Sequence, residues 1–257
     1  MHQVMATKAL LADAIRMLER AEIIDHSGHC SARRDAESYF INSGASVRST
    51  LTADDIVTVD LNGSLIEGTA RPPLEFHIHS EIYRARPDVN VVMHTHPRWS
   101  TLLTMVGVRF EPVYAQGVLL GEIPLMESPL SINTKAMGER LATTLGQSRA
   151  VLLKSHGAVV VGADIVECFA LATYLEENAR RQYLAANQVW NWYTLWIWTT
   201  SNRSTCRRSQ RPRPSEAAYE RGQCTRRKVT GTPAMACWTG TGSAPDPSMS
   251  VVASSTW

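Results

Sequence analysis

The apolar pattern of this chain stops near Val189, and this break limits the part of the sequence that can build a folded core. All histidines lie at or before His156, whereas nearly all tryptophans lie at or after Trp190. The later residues are rich in Arg, Ser, Thr, Gly and Pro and poor in acidic side chains, which is typical of segments that bury too little apolar surface to fold. We therefore expect one folded domain over residues 1–188 and an atypical basic tail over residues 189–257.

Three interpretations of this tail are open. It is a disordered basic extension, the product of a shifted reading frame, or a segment whose aromatic run WNWYTLWIWT docks on a neighbouring subunit. A shifted frame accounts for a stretch rich in Trp and Arg that lacks aliphatic periodicity. Under each interpretation, the functional residues are to be sought upstream.

Composition excludes several classes of protein. A net charge of +2 without a basic stripe in the first two thirds does not favour a nucleic-acid partner. Lys8, Asp13 and Arg16 interrupt the opening segment, unlike a signal peptide, and no window approaches the roughly 18 apolar residues of a membrane span. Five cysteines without a CxxC pair favour neither disulfides nor a cysteine zinc site. We expect a cytoplasmic protein that binds no membrane.

Apolar spacing predicts helices over residues 6–23, 133–145 and 165–187, and one from Pro72 to about Arg86 with Leu74, Ile78 and Ile82 buried. Short apolar runs predict strands at residues 39–41, 56–59, 64–66, 89–96, 151–155 and 158–161, with a hairpin turn at Asn62-Gly63. The irregular alternation, the hairpins and the lack of a GxGxxG motif favour an α/β fold with a mixed or antiparallel sheet covered by helices, not a doubly wound one.

Two apolar strands each end in histidine. In the run Val-Val-Met-His94-Thr-His96, side chains two apart face the same way, so both imidazoles project from one surface. The run Leu-Leu-Lys-Ser-His156 brings a third imidazole before a glycine turn. Three neutral imidazoles with an open position are typical of a catalytic zinc-type site. Chance accounts for a lone HxH, but less readily for two such elements.

Glu75 and His79 lie one helical turn apart after Pro72-Pro73. A carboxylate beside a metal acts as a general acid or base. Spacing alone favours a simpler role, a helix N-terminal carboxylate stabilised by about 0.3–1 kcal/mol. His77 diverges from His79 on a helix, and we expect it to be solvent-facing or structural.

A turn is predicted at Gly28-His-Cys-Ser-Ala-Arg33, after the first helix. Its backbone N–H groups could hold substrate oxygens and Arg33 could pair with a carboxylate, although an ordinary turn has the same appearance. The segment Asn42-Ser43-Gly44 is equally ambiguous.

Together these motifs resemble the class II aldolase/adducin family over about residues 6–187. The resemblance rests on GxxSxR at residues 28–33, on the hairpin at 52–68, and on residues 71–79, 92–97 and 153–157. It implies an α/β/α sandwich and a homotetramer with active sites at subunit boundaries. It also implies a divalent ion, zinc first with manganese, cobalt or magnesium as alternatives, at His94, His96 and His156. The resemblance also implies that Glu75 is the acidic catalytic residue. This interpretation replaces the helix N-terminal carboxylate that spacing alone favours.

The departures from the family pattern concern the substrate. His29 stands where sugar-phosphate members usually have Asn, and Pro72-Pro73 stands where they have a serine pair. Proline offers neither a hydroxyl nor a backbone N–H, so a phosphorylated substrate is not expected. The pattern is closer to the decarboxylases of aromatic catabolism that act on dihydroxyphthalate and carboxy-hydroxymuconate semialdehyde. The predicted substrate-binding residues are His29, Ser31, Arg33, Ser43, Gly44 and Arg71.

The leading hypothesis is therefore metal-dependent decarboxylation of a small hydroxy or oxo dicarboxylate, with the ion as Lewis acid and Glu75 shuttling the proton. Retro-aldol cleavage of a hydroxy-keto acid is the alternative, because both reactions develop charge on the same substrate atoms, and a dehydratase is third. A metal-free, adducin-like binding protein belongs to another class. Adducin-type members lack the three metal histidines that this chain has.

Overall fold

The computed structural model describes residues 2–187, and the predicted tail over residues 189–257 lies outside the described residues. The helices of the described part are α1 (His2–Arg20), α2 (Phe76–Ala85), α3 (Arg98–Met105), α4 (Lys135–Leu145) and α5 (Ile165–Asn187). Its strands are β1 (His29–Arg33), β2 (Ser38–Asn42), β3 (Ile56–Asp60), β4 (Leu65–Glu67), β5 (Val91–Thr95), β6 (Leu125–Met126), β7 (Ala150–Leu153) and β8 (Gly157–Gly162).

These strands form one sheet in the order β4-β3-β2-β1-β5-β8-β7-β6. Neighbouring strands are antiparallel except β6 and β7, which are parallel, so the predicted mixed sheet is confirmed. Near the centre, β5 pairs with β1 on one side and with β8 on the other. His94 of β5 lies opposite His29 of β1 and Val159 of β8.

The two faces of the sheet enter separate hydrophobic cores. One core packs the sheet against α1 and α5, and the other packs it against α2 and α4. On β8, Ala158 and Val160 enter the first core while Val159 and Val161 enter the second, because successive side chains of a strand point to opposite faces. The predicted three-layer α/β/α sandwich is confirmed.

Helix α2 begins at Phe76, four residues later than predicted. Pro72 and Pro73 precede it, since proline disfavours the helical conformation in the residue before it and lacks the N–H that a helix interior needs. Leu74 is 83% exposed, so the predicted buried stripe was wrong at that position. Ile78 and Ile82 are fully buried, as predicted.

Three elements differ from the sequence prediction, and one of them is β6, a two-residue strand at the edge of the sheet that was not predicted. Residues 29–33 form β1 instead of a turn, and pairing with β2 and β5 engages their backbone in the sheet. Helix α3 was not predicted. Its first turn is capped from α5, where the carboxylate of Glu176 accepts hydrogen bonds from the N–H groups of Trp99 (2.6 Å) and Ser100 (2.9 Å). Among residues 2–187, no helix combines the length and the apolar character that a membrane span requires.

Candidate metal centre and active site

Three histidines converge beyond the end of β5. His94 lies in β5, His96 follows the last residue of that strand, and His156 lies in the turn between β7 and β8. The antiparallel pairing of β5 with β8 sets Thr95 opposite Ala158, which brings this turn beside His96. Their candidate ligand atoms all lie within 4.8 Å of one another, so the structure brings the three predicted residues together.

The hydrogen bonds of two rings show which nitrogen donates to the protein. His94 Nδ1 lies 3.1 Å from the carbonyl oxygen of Ala158, and His96 Nδ1 lies 2.8 Å from Asp25 Oδ1. Because both partners accept, each Nδ1 donates, and in the neutral form of each ring Nε2 then presents a lone pair. These two Nε2 atoms face each other at 3.1 Å, close to the roughly 3.3 Å between nitrogens of a tetrahedral zinc site with bonds of 2.0–2.1 Å.

Lone pairs that face each other without a hydrogen repel unless a cation lies among them. Burial lowers the pKa of His94 to about 3, which keeps its ring in the neutral form that binds metals. The carboxylate of Glu75 adds acceptors, with Oε2 3.4 Å from His94 Nε2 and Oε1 3.9 Å from His156 Nε2. The donor set fits a divalent cation.

Glu75 is the residue just before α2, and its side chain is only 12% exposed. Its Oε1 accepts hydrogen bonds from Ser131 Oγ (2.8 Å) and from the N–H of Ile132 (2.7 Å). Burial raises the pKa of Glu75, but the adjacent His29 and His94 rings and the Ile132 N–H outweigh that effect and hold it below its usual range. One oxygen is thus anchored, and Oε2 faces the histidines.

His29 lies beside this cluster and is 1% exposed. Its Nε2 has no hydrogen-bond partner and lies 3.6 Å from Glu75 Oε2. Candidate ligand atoms of His29, Glu75 and His94 also lie within 4.8 Å of one another. Burial lowers the pKa of His29, so the ring is neutral. The structure therefore places this predicted substrate-binding residue at the site.

Ser31 and Arg33 are not brought to the histidine cluster. Ser31 Oγ lies 2.6 Å from His79 Nδ1 and 2.7 Å from the Tyr83 hydroxyl, within a buried polar network. The Arg33 guanidinium donates to the carbonyls of Tyr83, Arg86 and Val89 and stacks on the Tyr83 ring at 4.5 Å. Four residues of an extended strand separate it from His29, or roughly 13 Å. The predicted pairing of Arg33 with a substrate carboxylate does not fit this position.

Ser43, Gly44 and Arg71 are brought together with one another. The Ser43 N–H donates to the Asp55 carbonyl (2.9 Å), and the Gly44 N–H donates to the Arg71 carbonyl (3.0 Å). A Cβ at position 44 would lie 3.4 Å from the Pro72 carbonyl oxygen, so the two segments touch. A groove of about 850 Å³ runs along the exposed Arg71 and the residues after it.

Sequence reasoning missed Asp25. Its Oδ1 accepts from His96 Nδ1 and from the N–H groups of Ser27 (2.9 Å) and Gly28 (3.0 Å). Burial raises the pKa of Asp25, but these bonds and the His96 ring lower it below its usual range. A carboxylate that orients a metal-binding histidine in this way raises its basicity. The one feature of the sequence that indicates this role is the position of Asp25, two residues before Ser27 and three before Gly28, where its carboxylate can accept the N–H groups of a turn.

His79 belongs to a buried network that the sequence pattern did not reveal. It is fully buried, and its Nε2 lies 2.7 Å from His29 Nδ1. A strand assignment for residues 29–33 would have indicated this network, because His29 and Ser31 are two residues apart and side chains at that spacing point to the same face of a strand. His77 is partly buried and next to the Phe76 ring, with a centroid distance of 4.0 Å.

Residues 9–183 match the family described as Class II Aldolase and Adducin N-terminal domain, and the chain belongs to this family, as predicted. Class II aldolases depend on a divalent metal, and family members include lyases of the aldolase and decarboxylase types.

Relatives of both lyase types are similar to this chain. An L-fuculose phosphate aldolase of Methanocaldococcus jannaschii is 29% identical over 166 residues, which cover 64% of this chain and 88% of that protein. A 3,4-dihydroxyphthalate decarboxylase of Terrabacter sp. is 27% identical over 190 residues, covering 68% and 79%. The crystal structure of L-fuculose-1-phosphate aldolase from Thermus thermophilus is 26% identical with a TM-score of 0.63, covering 74% of this chain and 100% of that one.

Proposed function

We propose that this protein is a divalent-metal-dependent carbon–carbon lyase that decarboxylates a non-phosphorylated aromatic or unsaturated hydroxy or oxo dicarboxylate. The observation that carries the proposal is the convergence of acceptor atoms from His94, His96, His156 and Glu75 within a partly buried site. Similarity to the dihydroxyphthalate decarboxylase supports the choice of reaction. Zinc is the proposed ion, because three imidazoles with an open position suit it.

The segment just before Glu75 also supports a substrate without phosphate. Phosphate sites depend on converging N–H donors. Here the N–H groups of Ser43 and Gly44 donate to carbonyls of the protein, and Pro72 and Pro73 have none. Arg71 is exposed beside the groove, and we propose that it binds a carboxylate of the substrate together with the polar groups of residues 43–44.

In the proposed reaction, His94, His96 and His156 would hold the divalent ion, which as a Lewis acid would supply stabilisation of negative charge on substrate oxygens. His29 binds a substrate carboxylate through its unpartnered Nε2. As the carboxylate leaves as CO₂, the electron pair of the broken C–C bond forms a new C–H bond. Glu75, a carboxylate in the resting site, takes a proton from a substrate hydroxyl or from solvent and delivers it from Oε2 to this carbon.

Retro-aldol cleavage is the second candidate. Identity of 29% to a fuculose phosphate aldolase and the likeness to the Thermus enzyme favour it. The same residues would serve, since this cleavage also leaves an electron pair on carbon beside a substrate oxygen. Pro72 and Pro73 offer no N–H group to a phosphate, which argues against a sugar phosphate as the substrate of this cleavage. A hydroxy-keto acid would be the substrate instead.

The test is a substrate panel given to the zinc-loaded protein, with CO₂ and pyruvate measured in parallel. Release of CO₂ from 3,4-dihydroxyphthalate or a related dicarboxylate is expected, with no pyruvate from hydroxy-keto acids. Pyruvate without CO₂ would establish the aldolase instead. A purified protein that holds far less than one divalent ion per chain and shows neither product would be a binding module.

We also propose a cytoplasmic homo-oligomer, a tetramer by the resemblance to the family. Light scattering of the purified chain measures its mass directly, and a monomer at micromolar concentration would contradict this assignment.

A further inference from the structure

A chain of buried hydrogen bonds runs from α2 to the unpartnered nitrogen of His29. The Tyr83 hydroxyl lies 2.7 Å from Ser31 Oγ, and Ser31 Oγ lies 2.6 Å from His79 Nδ1. His79 Nε2 in turn lies 2.7 Å from His29 Nδ1. All four side chains are at most 2% exposed. Because water cannot supply other partners, the protons of the chain must be arranged in one consistent direction.

Two directions satisfy every link while both rings stay neutral. In the forward direction, Ser31 donates to His79 Nδ1, and His79 Nε2 donates to His29 Nδ1, which leaves a proton on His29 Nε2. In the reverse direction, His29 Nδ1 donates to His79 Nε2, and His79 Nδ1 donates to Ser31, which leaves a lone pair on His29 Nε2. The direction therefore decides whether His29 offers a donor or an acceptor to the site.

The two ends of the chain favour the forward direction. At the His29 end, Nε2 lies 3.6 Å from the carboxylate oxygen of Glu75, where an N–H is attracted and a lone pair is repelled. At the other end, the reverse direction would turn the Tyr83 hydroxyl to the Asn90 carbonyl at a long 3.4 Å. That carbonyl already accepts the Arg33 N–H at 2.7 Å, so the forward direction leaves no acceptor unsatisfied there.

We propose that Tyr83, Ser31 and His79 are positioning residues that hold His29 in the tautomer protonated on Nε2, so that His29 donates a hydrogen bond to an oxygen of an anionic substrate. The distance of 3.6 Å to Glu75 is too long for a good hydrogen bond, so the donor remains available to a ligand. The identity of that ligand rests on the proposed function, whereas the tautomer of His29 rests on the hydrogen-bond chain alone.

Arg33 holds the far end of the chain in place. Its guanidinium stacks on the Tyr83 ring and donates to the Tyr83 carbonyl, which fixes the position of the hydroxyl that begins the network. This contact assigns Arg33 a role remote from the substrate, in place of the direct pairing predicted from the sequence.

The first experiment measures the tautomer directly. Two-bond ¹H–¹⁵N correlation spectra of ¹⁵N-histidine-labelled protein, without metal and with zinc, separate rings protonated on Nε2 from those protonated on Nδ1. The His29 signals are assigned from a His29→Gln sample. The expected result is His29 protonated on Nε2, and a ring protonated on Nδ1 in the wild-type protein overturns the proposal.

The second experiment uses Ser31→Ala, with Ser80→Ala as the matched control. Ser80 is an equally buried serine paired with a tyrosine hydroxyl, Tyr39 at 3.0 Å, but it lies outside the chain. Ser31→Ala removes the donor to His79, so His29 should populate both tautomers, while Ser80→Ala should leave the wild-type spectrum. A single unchanged tautomer in Ser31→Ala would show that the chain does not set it.

Calorimetry on the zinc-loaded proteins connects the tautomer to recognition. The probes are 3,4-dihydroxybenzoate and catechol, which differ by one carboxylate. Ser31→Ala should reduce the preference for the acid in proportion to the lost fraction of the Nε2 tautomer, about twofold when the two tautomers are equally populated. Catechol binding and the Ser80→Ala preference should not change. An equal preference in both variants would refute the substrate contact. Absence of CO₂ release with the Nε2 tautomer intact would refute only the proposed reaction.

Discussion

His29 and His94 lie directly opposite each other on neighbouring antiparallel strands, with ring centroids 4.9 Å apart. Both rings are buried, yet their second nitrogens have different partners. His94 Nδ1 donates to a backbone carbonyl of β8, whereas His29 Nδ1 faces the ring of His79. The neighbouring strands β1 and β5 thus carry the proposed substrate-facing nitrogen of His29 and the proposed metal ligand His94.

Removing one imidazole should abolish tight metal binding. His96→Ala leaves two histidines and Glu75, and we expect its affinity for zinc to fall by more than about 100-fold, since even the loss of an outer partner costs 10–100-fold. Competition with a chromophoric chelator measures the change. His26→Ala is the control, because His26 is an exposed histidine of the same loop region. An unchanged affinity in His96→Ala would remove this residue from the site.

Asp25 should matter to the metal without touching it. Asp25→Ala removes the acceptor of the His96 Nδ1–H, and we expect zinc affinity to drop about 10–100-fold. Asp35→Ala is the matched control. Asp35 also accepts from a backbone N–H and a serine hydroxyl in a loop, but none of its recorded partners is a histidine. Equal affinities of the two variants would count against the orienting role.

Glu75→Gln should retain the fold and the metal but lose turnover. The amide cannot carry the proton, so kcat should fall about 10²–10⁴-fold. Steady-state kinetics together with zinc content per chain distinguishes this from loss of the ion. Glu67→Gln, an exposed carboxylate of β4, should behave as wild type. Activity of Glu75→Gln within about threefold of wild type would assign the proton transfer to another group.

Acid should destabilise the metal-free protein from about pH 6.5 downward. The pKa of His94 is lowered to about 3 by burial, so below pH 6.5 the unfolded chain binds a proton that the folded state does not. Stability is present above the unfolded pKa and is lost as pH falls, by roughly 2 kcal/mol between pH 7 and 5 for this one ring. Urea unfolding at both pH values measures it. His94→Asn should show a smaller loss, and an equal loss would assign the effect to other groups.

The start of α2 can be tested through stability alone. Leu74→Ser alters a side chain that is 83% exposed, and the free energy of unfolding should change by less than about 0.5 kcal/mol. Ile78→Ala creates a cavity at a fully buried position and should cost about 2–5 kcal/mol. Urea denaturation compares them. A large loss in Leu74→Ser would mean that the residue is covered, for example by a second copy of the chain.

Much of the architecture followed from local patterns. The unbroken apolar run of residues 158–161 predicts a strand that is buried on both faces, the helical period of residues 165–187 predicts a helix, and the structure confirmed both elements. Helix α3 escaped prediction because its cap comes from Glu176, more than seventy residues away. Strand β1 was not predicted because two of its buried side chains, His29 and Ser31, are polar. Both hydrogen-bond to His79 in the interior, and a search for apolar periodicity cannot detect such a strand.

The sequence by itself determined the family, the layered sheet and the two histidine-bearing strand ends, because side-chain alternation and strand termination are local properties. Only the tertiary structure decided which side chains form hydrogen bonds with each other. The pairing of His96 with Asp25, the position of Arg33 at the far end of β1 and the proton order from Tyr83 to His29 depend on distances between segments up to 71 residues apart. Hydrogen-bond direction is set by those distances and by the exclusion of water, and neither is encoded in the spacing of residues along the chain.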